Sequence, residues 1–325
     1  MKQEKGQKGG LLSLINGVLV VEGEMVDGGG EDSKAYMINE RYGFFGVFDG
    51  CGGIGSRRYE EFGNKTGAYI ASRVVSSMSV EWFKDFCNQG KTLTDSSAPA
   101  VISDLRSFLL DNLKLMDSET EQSMIRGSLT KKFPTTGSFV ICEYGQKALT
   151  ACFGWAGDSR GYILAEHGLT QITADDVDGG IDAMSNLSDD GRLTNVISAN
   201  GDFKINYRNV VLNAPAILIT ATDGCFGYFS TPMEFEYMIL ETLAASTGVK
   251  SWNTLMDRYI RKYTGDDYTM CVAVCGYSKF ETLKKAYANR KDYLYRNYIS
   301  KLERADANTK AMLWEQYRTT YSNWR

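Results

Sequence analysis

Acidic side chains stand in this chain where a carboxylate is awkward to place, at the ends of apolar runs. Asp49 closes GFFGVFD and is followed by Gly50, and Asp223 closes AILITATD and is followed by Gly224. Asp266 and Asp267 immediately precede YTMCVAVC, Asp158 follows ALTACFGWAG, and Glu31 and Asp32 lie between a GGG loop and AYMIN. Any one of them could simply cap a turn. Gathered together, they would raise one another's pKa steeply unless a cation sat among them. An all-oxygen ligand set, without His or Cys, favours a hard divalent ion, Mg2+ or Mn2+, which keeps several of its waters. Two such ions ~3.5–4 Å apart form a clamp for phosphoester hydrolysis, in which a bridging hydroxide attacks while the ions neutralise the phosphoryl oxygens. Gly50 has no side chain to keep its carbonyl away from an ion.

The elements that must position these residues read mostly as strands, at 35–39, 43–49, 138–144, 148–157, 161–166, 209–213, 216–223 and 268–277. Many are rich in β-branched and aromatic residues, with short turn signals between them. Helical patterns come in pairs, at 56–87 with 99–116 and at 231–246 with 251–263. The third of these has Thr231 as N-cap, Pro232 at the first position and Glu234 at the third, the pattern of a capping box. Strands in adjacent hairpins with helices in separate blocks predict an antiparallel α+β sandwich over a parallel doubly wound sheet. Residues 174–208, rich in Asp, Gly, Asn and Ser, form a long irregular insertion of the kind that is functional or mobile.

From residue 279 the chain changes character, with 11 Lys/Arg against 5 Asp/Glu, a net charge of +6 that leaves −10 for the first 278 residues. Tyr287, Leu294, Tyr298, Leu302, Leu313 and Tyr317 recur there at helical spacing. This predicts a basic, aromatic-rich helical extension over 279–325, either packed on its own acidic domain (1–278) or presenting a docking surface to a partner.

Composition narrows the chemistry. A chain of 325 residues, 43% hydrophobic and 23% charged, is ordinary globular protein. A net charge of −4 is too mild and of the wrong sign for a nucleic-acid binder. The single histidine, His167, cannot build an HExxH helix or a His-rich zinc site, and in AEHGLT it reads as an exposed hairpin residue. Seven scattered cysteines without a CxxC pair read as reduced thiols of a cytoplasmic protein. The basic start at 1–10 leads into an interrupted apolar stretch without a signal-cleavage pattern, and no run reaches the ~18 apolar residues of a membrane span.

Taken in order, Glu31-Asp32, FFGVFDGCGG (44–53), TTGSFVI (135–141), GWAGDSRGYIL (154–164), LITATDG (218–224) and GDDYTMCVAV (265–274) resemble the metal-dependent protein serine/threonine phosphatases of the 2C type, in a bacterial-like branch. The resemblance spans about residues 15–278, and RLTNVISANGDFKI (192–205) is similar to the family's stretch before its penultimate core strands. It implies a four-layer α/β/β/α sandwich, two central antiparallel sheets flanked by antiparallel helix pairs. Asp49 matches the carboxylate that bridges two metals, Gly50 the carbonyl ligand, and Asp223 and Asp266 the remaining direct ligands. Glu31 and Asp32 match the acidic pair that holds metal-bound waters, and Asp158 an aspartate of a weaker third metal. The resemblance further implies Mg2+ or Mn2+, phosphoserine or phosphothreonine in a protein substrate, and a cognate Ser/Thr kinase in the same signalling system.

The chain departs from the family pattern at several positions. Cys51 stands where many members carry a His proposed as general acid, and a thiol of reference pKa ~8.5 is a poorer donor near neutrality. Asp27 replaces an Arg that often clamps the substrate phosphate; Arg57, Arg58 and Lys65 are the candidates to replace that charge, or are solvated helix residues. Gly227 replaces a residue often acidic, and Asp267 a common Asn. Cys51-GGIGS-Arg57 also fits the Cys-x5-Arg loop of thiolate phosphatases, a reading that leaves Asp223, GDSR and GDDYT unexplained. The alternative of a different class is a pseudophosphatase that binds or scaffolds.

Overall fold

The computed structural model describes residues 14–120, 131–145, 148–180, 182–188 and 191–323. Strands β1 (Leu14–Gly23), β2 (Ser33–Ile38) and β3 (Tyr42–Gly50) come first. A small hairpin of β4 (Arg58–Tyr59) and β5 (Lys65–Thr66) leads into α1 (Gly67–Gln89) and α2 (Ala98–Ser118). Then come β6 (Thr135–Tyr144), β7 (Leu149–Ala156), β8 (Arg160–Ala165) and β9 (Gly168–Gln171), followed by a long segment with the one-turn α3 (Ser185–Ser188). Next are β10 (Asn206–Leu212), β11 (Ala216–Ala221), α4 (Asp223–Phe226), α5 (Pro232–Ala245), α6 (Val249–Tyr263) and β12 (Tyr268–Cys275). Helix α7 (Phe280–Leu294), a π-helical turn (Tyr295–Ile299), α8 (Ser300–Leu302) and α9 (Ala307–Tyr321) follow.

Two five-stranded antiparallel sheets, ordered β1-β12-β11-β8-β9 and β10-β7-β6-β3-β2, lie face to face with helices on both outer sides. Side-chain alternation along each strand explains the layering. In β3, Phe44 and Phe48 pack outward with α1 and α2, whereas Phe45 and Val47 enter the layer between the sheets. In β12, Met270, Val272 and Val274 pack outward with α5 and α6, whereas Cys271, Ala273 and Cys275 face inward. Both faces are buried, so these strands read in sequence as unbroken apolar runs. The α+β sandwich expected from sequence is the fold observed.

Some local expectations change. The interrupted apolar stretch near the start contains β1, an edge strand on β12; residues 1–13, with the basic start, lie outside the described residues. Residues 56–66, read as helix, instead form a loop, the β4–β5 hairpin and a 3-10 turn. Helix α1 begins only at Gly67, with Thr66 accepting the Tyr69 N–H at 3.1 Å. Thr231 does cap α5, accepting the Glu234 N–H at 3.4 Å, while the Glu234 carboxylate takes the hydroxyls of Ser230 and Thr231.

The six residues marked in the tail are all buried, in the same core as α5 and α6. Arg290 donates to both oxygens of the buried Glu236 at 2.6 and 2.8 Å, and the Tyr317 hydroxyl adds a third bond at 2.6 Å. His167 is exposed in the β8–β9 turn. Among the described residues, no helix is long and apolar enough to cross a membrane.

Candidate active site

Both sheets end in acid at one rim. Asp49 lies in the last turn of ladder between β3 and β6, where the Thr135 hydroxyl donates to the Asp49 carbonyl at 2.6 Å. The glycine after it is dictated by packing: a Cβ on Gly50 would stand 2.5 Å from the Ala68 carbonyl oxygen and 3.0 Å from that of Glu31. The second Asp-Gly follows the same rule more sharply, because a Cβ on Gly224 would fall 1.9 Å from the Asp267 carbonyl oxygen. Lack of a side chain at 224 lets the start of α4 abut the start of β12, which brings Asp223 beside Asp266 and Asp267.

Glu31 and Asp32 are pinned from three elements. Thr66, the cap of α1, donates its hydroxyl to the Glu31 carboxylate. The Glu31 backbone N–H donates to Asp267 at 2.8 Å, and the Thr222 hydroxyl donates to Asp32 at 2.7 Å, tying β2 to the opposite sheet. Asp158 leaves β7 through Gly157, whose φ of +93° suits glycine. The Gly157 N–H donates to Asp176 at 3.0 Å. Two residues on, Arg160 is buried in a forked pair with Asp175 at 2.7–3.2 Å, its guanidinium 4.4 Å over the Phe226 ring. The Arg of GDSR is therefore a packing residue.

These strand ends open on a cleft of about 720 Å³, lined by Glu31, Asp49, Gly50, Cys51, Asp158, Asp223, Asp266 and Asp267. Lys131, Arg192, Leu193, Thr194, Asn195 and Asp202 line the same cleft. Asp32 lies just behind, on a second cavity of about 680 Å³ shared with Glu22, Glu24, Asp27, Lys34 and Arg73. Gly227 borders a smaller neighbouring pocket of about 280 Å³ with Asp158, Asp223 and Asp266.

Arg57, Arg58 and Lys65 do not line the cleft. The Arg57 guanidinium sits 4.6 Å over the Tyr59 ring, Arg58 donates to the Asn64 carbonyl at 2.8 Å, and Lys65 donates to the Gly28 carbonyl at 2.6 Å. The candidate phosphate-binding cations are thus engaged elsewhere because 56–66 is hairpin, not helix. The cleft lining at 191–196 was not among the expected site residues; its signals in sequence were the length and polarity of the 174–208 insertion and the family likeness of 192–205.

Electrostatics carry the mark of crowding. Burial pushes Asp49 well above the ordinary carboxylate range, and Asp32, Asp223, Asp158 and Asp266 push it further. Burial and Asp223 raise Asp32 to about 8 against its Thr222 bond, and burial, Asp223 and Asp175 raise Asp158 to about 8. Glu31 is raised by burial and by Asp267 and Asp266. The Cys51 thiol is pushed well up by burial, then by Asp49 and Asp158. Such a thiol keeps its proton, which opposes a thiolate nucleophile.

Among the described residues, no group of three or more His, Cys, Asp or Glu side chains stands in metal-binding geometry. Mg2+ and Mn2+ do not require one. They are commonly held through one or two carboxylates and retained waters, and an open set of mutually repelling carboxylates beside a glycine carbonyl fits that donor chemistry.

No protein-family model matches the chain, and no curated protein matches its sequence. Solved structures do match. The serine/threonine phosphatase Stp1 from Staphylococcus aureus is 16% identical, over 84% of this chain and 99% of that one, with a TM-score of 0.57. A bacterial serine phosphatase is 16% identical over 79% of this chain and 96% of that one, at 0.56. The Mycobacterium tuberculosis serine/threonine phosphatase PstP/Ppp is 18% identical over 79% and 97%, at 0.52. Likeness at such identity is likeness of architecture, and most of this chain is built on the fold of the bacterial 2C-type serine/threonine phosphatases.

Proposed function

We propose that this protein is a Mg2+- or Mn2+-dependent phosphatase that hydrolyses phosphoserine and phosphothreonine esters in proteins. The observation that carries the reading is the convergence of Glu31, Asp49, Asp158, Asp223, Asp266 and Asp267, from both sheets, on one cleft. Asp49, Asp223 and Asp266, with the Gly50 carbonyl, would hold two ions; Glu31 and Asp32 would accept hydrogen bonds from their waters, and Asp158 would serve a weaker third. When bound, the ions supply hard positive charge that acidifies water and offsets charge on the phosphoryl oxygens.

The chain's own residues set the rest. Thr66 and Asp267 orient Glu31, and Thr222 orients Asp32. Cys51 keeps its proton beside Asp49 and is a weak acid, so an alkoxide leaving group receives little help and an aryl oxide needs little. The reading carries with it phosphoprotein substrates, an opposing Ser/Thr kinase and a reducing cytoplasmic setting, in keeping with seven free thiols.

A second reading, a pseudophosphatase, draws support from Gly227, which brings no carboxylate to the smaller pocket, and from exposed Asp27 where a phosphate clamp is expected. Hydrolysis of p-nitrophenyl phosphate with Mn2+, with EDTA and in Cys51→Ser separates these. Turnover lost in EDTA and retained in Cys51→Ser supports the metal reading. Turnover that survives EDTA and disappears in Cys51→Ser sinks it, and no turnover on this ester or on phosphopeptides favours the scaffold.

A further inference from the structure

We propose that Arg192 is the residue that contacts the substrate's phosphoryl group, which gives the acidic cleft a guanidinium of its own. The inference rests on the phosphatase reading and assigns the substrate side of that site. A phosphate monoester dianion entering an acidic cleft calls for a fixed donor of positive charge, and a guanidinium offers the matching fork. Among the described residues, two cations line the cleft, Lys131 and Arg192. Lys131 is already paired with Asp202. Arg192 is exposed and makes no side-chain hydrogen bond or ion pair with a described residue. Its neighbour Asn195 is engaged, donating to Asp176 at 2.7 Å and accepting the Lys204 N–H at 3.0 Å.

The backbone that presents Arg192 is keyed to the acidic set. Asp178 N–H donates to the Arg192 carbonyl at 2.9 Å, Val177 bridges Leu193, and Thr194 N–H donates to the Asp176 carbonyl at 2.8 Å. Asp176 in turn exchanges two bonds with Gly157, its backbone N–H to the Gly157 carbonyl and its carboxylate to the Gly157 N–H, both 3.0 Å. The Asn206 amide secures the same carboxylate at 2.9 and 3.1 Å. Arg192 is therefore registered, through one short ladder, to the residue immediately before Asp158.

The test compares wild type with Arg192→Ala and Arg192→Lys. Three quantities are measured: the Kd for inorganic phosphate with Mn2+ present, the Kd for Mn2+ alone, and KM and kcat on p-nitrophenyl phosphate and on a phosphothreonine peptide. Loss of a charge-assisted contact predicts that Arg192→Ala raises the phosphate Kd and both KM values by about tenfold or more. The Mn2+ Kd should stay within about twofold, and Arg192→Lys should recover part of the loss. Unchanged phosphate Kd and KM in Arg192→Ala overturn the proposal. So does a rise in KM confined to the peptide, which would place the contact on flanking residues. If wild type hydrolyses neither ester, the phosphatase reading fails by itself, and the phosphate titration still decides: weaker binding in Arg192→Ala upholds the contact, and equal or absent binding in wild type ends it.

Discussion

The Asp267 carboxylate accepts the backbone N–H of Glu31 at 2.8 Å, joining the head of β12 to a loop 236 residues earlier. Its other oxygen accepts the Met25 N–H at 2.8 Å, so one side chain clasps both ends of the β1–β2 loop. Asp267→Ala frees both N–H groups and should cost about 1–2 kcal/mol of stability, read from urea unfolding. Turnover should fall as Glu31 loses its anchor. Asp267→Asn keeps one acceptor oxygen and should lose less; equal losses in the two variants would show that the clasp is not what matters.

Asp49 stands among four other carboxylates that push its pKa upward. Asp49→Asn should reduce Mn2+-dependent hydrolysis to background and, in EDTA, raise the melting temperature, because a neutral amide relieves like-charge crowding. A variant with wild-type turnover would refute the assignment of Asp49 as a ligand.

The crowding also has a pH signature. Burial and neighbouring carboxylates push Asp32 and Asp158 up from 3.8 to about 8 in the folded, metal-free protein. Across the window between, the folded state holds protons that the unfolded chain has released, so stability falls as pH rises through it. Melting of the metal-free protein should therefore occur at lower temperature at pH 8 than at pH 5.5. Added Mn2+ should stabilise more at the higher pH and release protons on binding, measurable by calorimetry in buffers of different ionisation enthalpy. A metal-free protein that grows more stable over this range would contradict the crowding.

Glu236 is fully buried, and Arg290 and Tyr317 from the basic tail are its partners. Removing the guanidinium in Arg290→Met leaves an uncompensated buried carboxylate and should cost about 3–5 kcal/mol. The double variant with Glu236→Gln should recover much of that loss. Additive losses in a denaturant double-mutant cycle would mean that the two groups do not act as a pair.

The acidic half of the site was legible in sequence for a physical reason. An apolar run that ends in Asp-Gly marks a strand terminus and a close backbone approach together, and both Gly50 and Gly224 turn out to have no room for a Cβ. The buried tail was legible because Tyr287, Leu294 and Tyr317 keep helical spacing. Residues 56–66 misled, since their polar and aromatic residues suit a helix face as well as they suit the small hairpin that forms. Strand β1 was obscured by the breaks in its apolar pattern, and its pairing with β12 depends on residues some 250 positions away. The segment carrying Arg192 had no periodicity to betray it, because it is held by an isolated bridge to 176–178 and by side-chain bonds to Asp176 rather than by a regular element.

The layer between the sheets interleaves large side chains such as Phe45, Phe153 and Leu218 with thin ones, Cys142, Ala151, Ala216, Cys271, Ala273 and Cys275. Glu31 precedes β2 and Asp49 ends β3 in one sheet, whereas Asp223 follows β11 and Asp266 precedes β12 in the other. On the proposed metal reading, the gap an ion would span follows the thickness of that layer, and the interior works as a gauge block for the rim. Enlarging a residue such as Ala273 would spread the two halves of the acidic set and change which ion they grip, without altering a single carboxylate. If the carboxylates hold ions as proposed, their preference would be a property that core packing tunes from a distance.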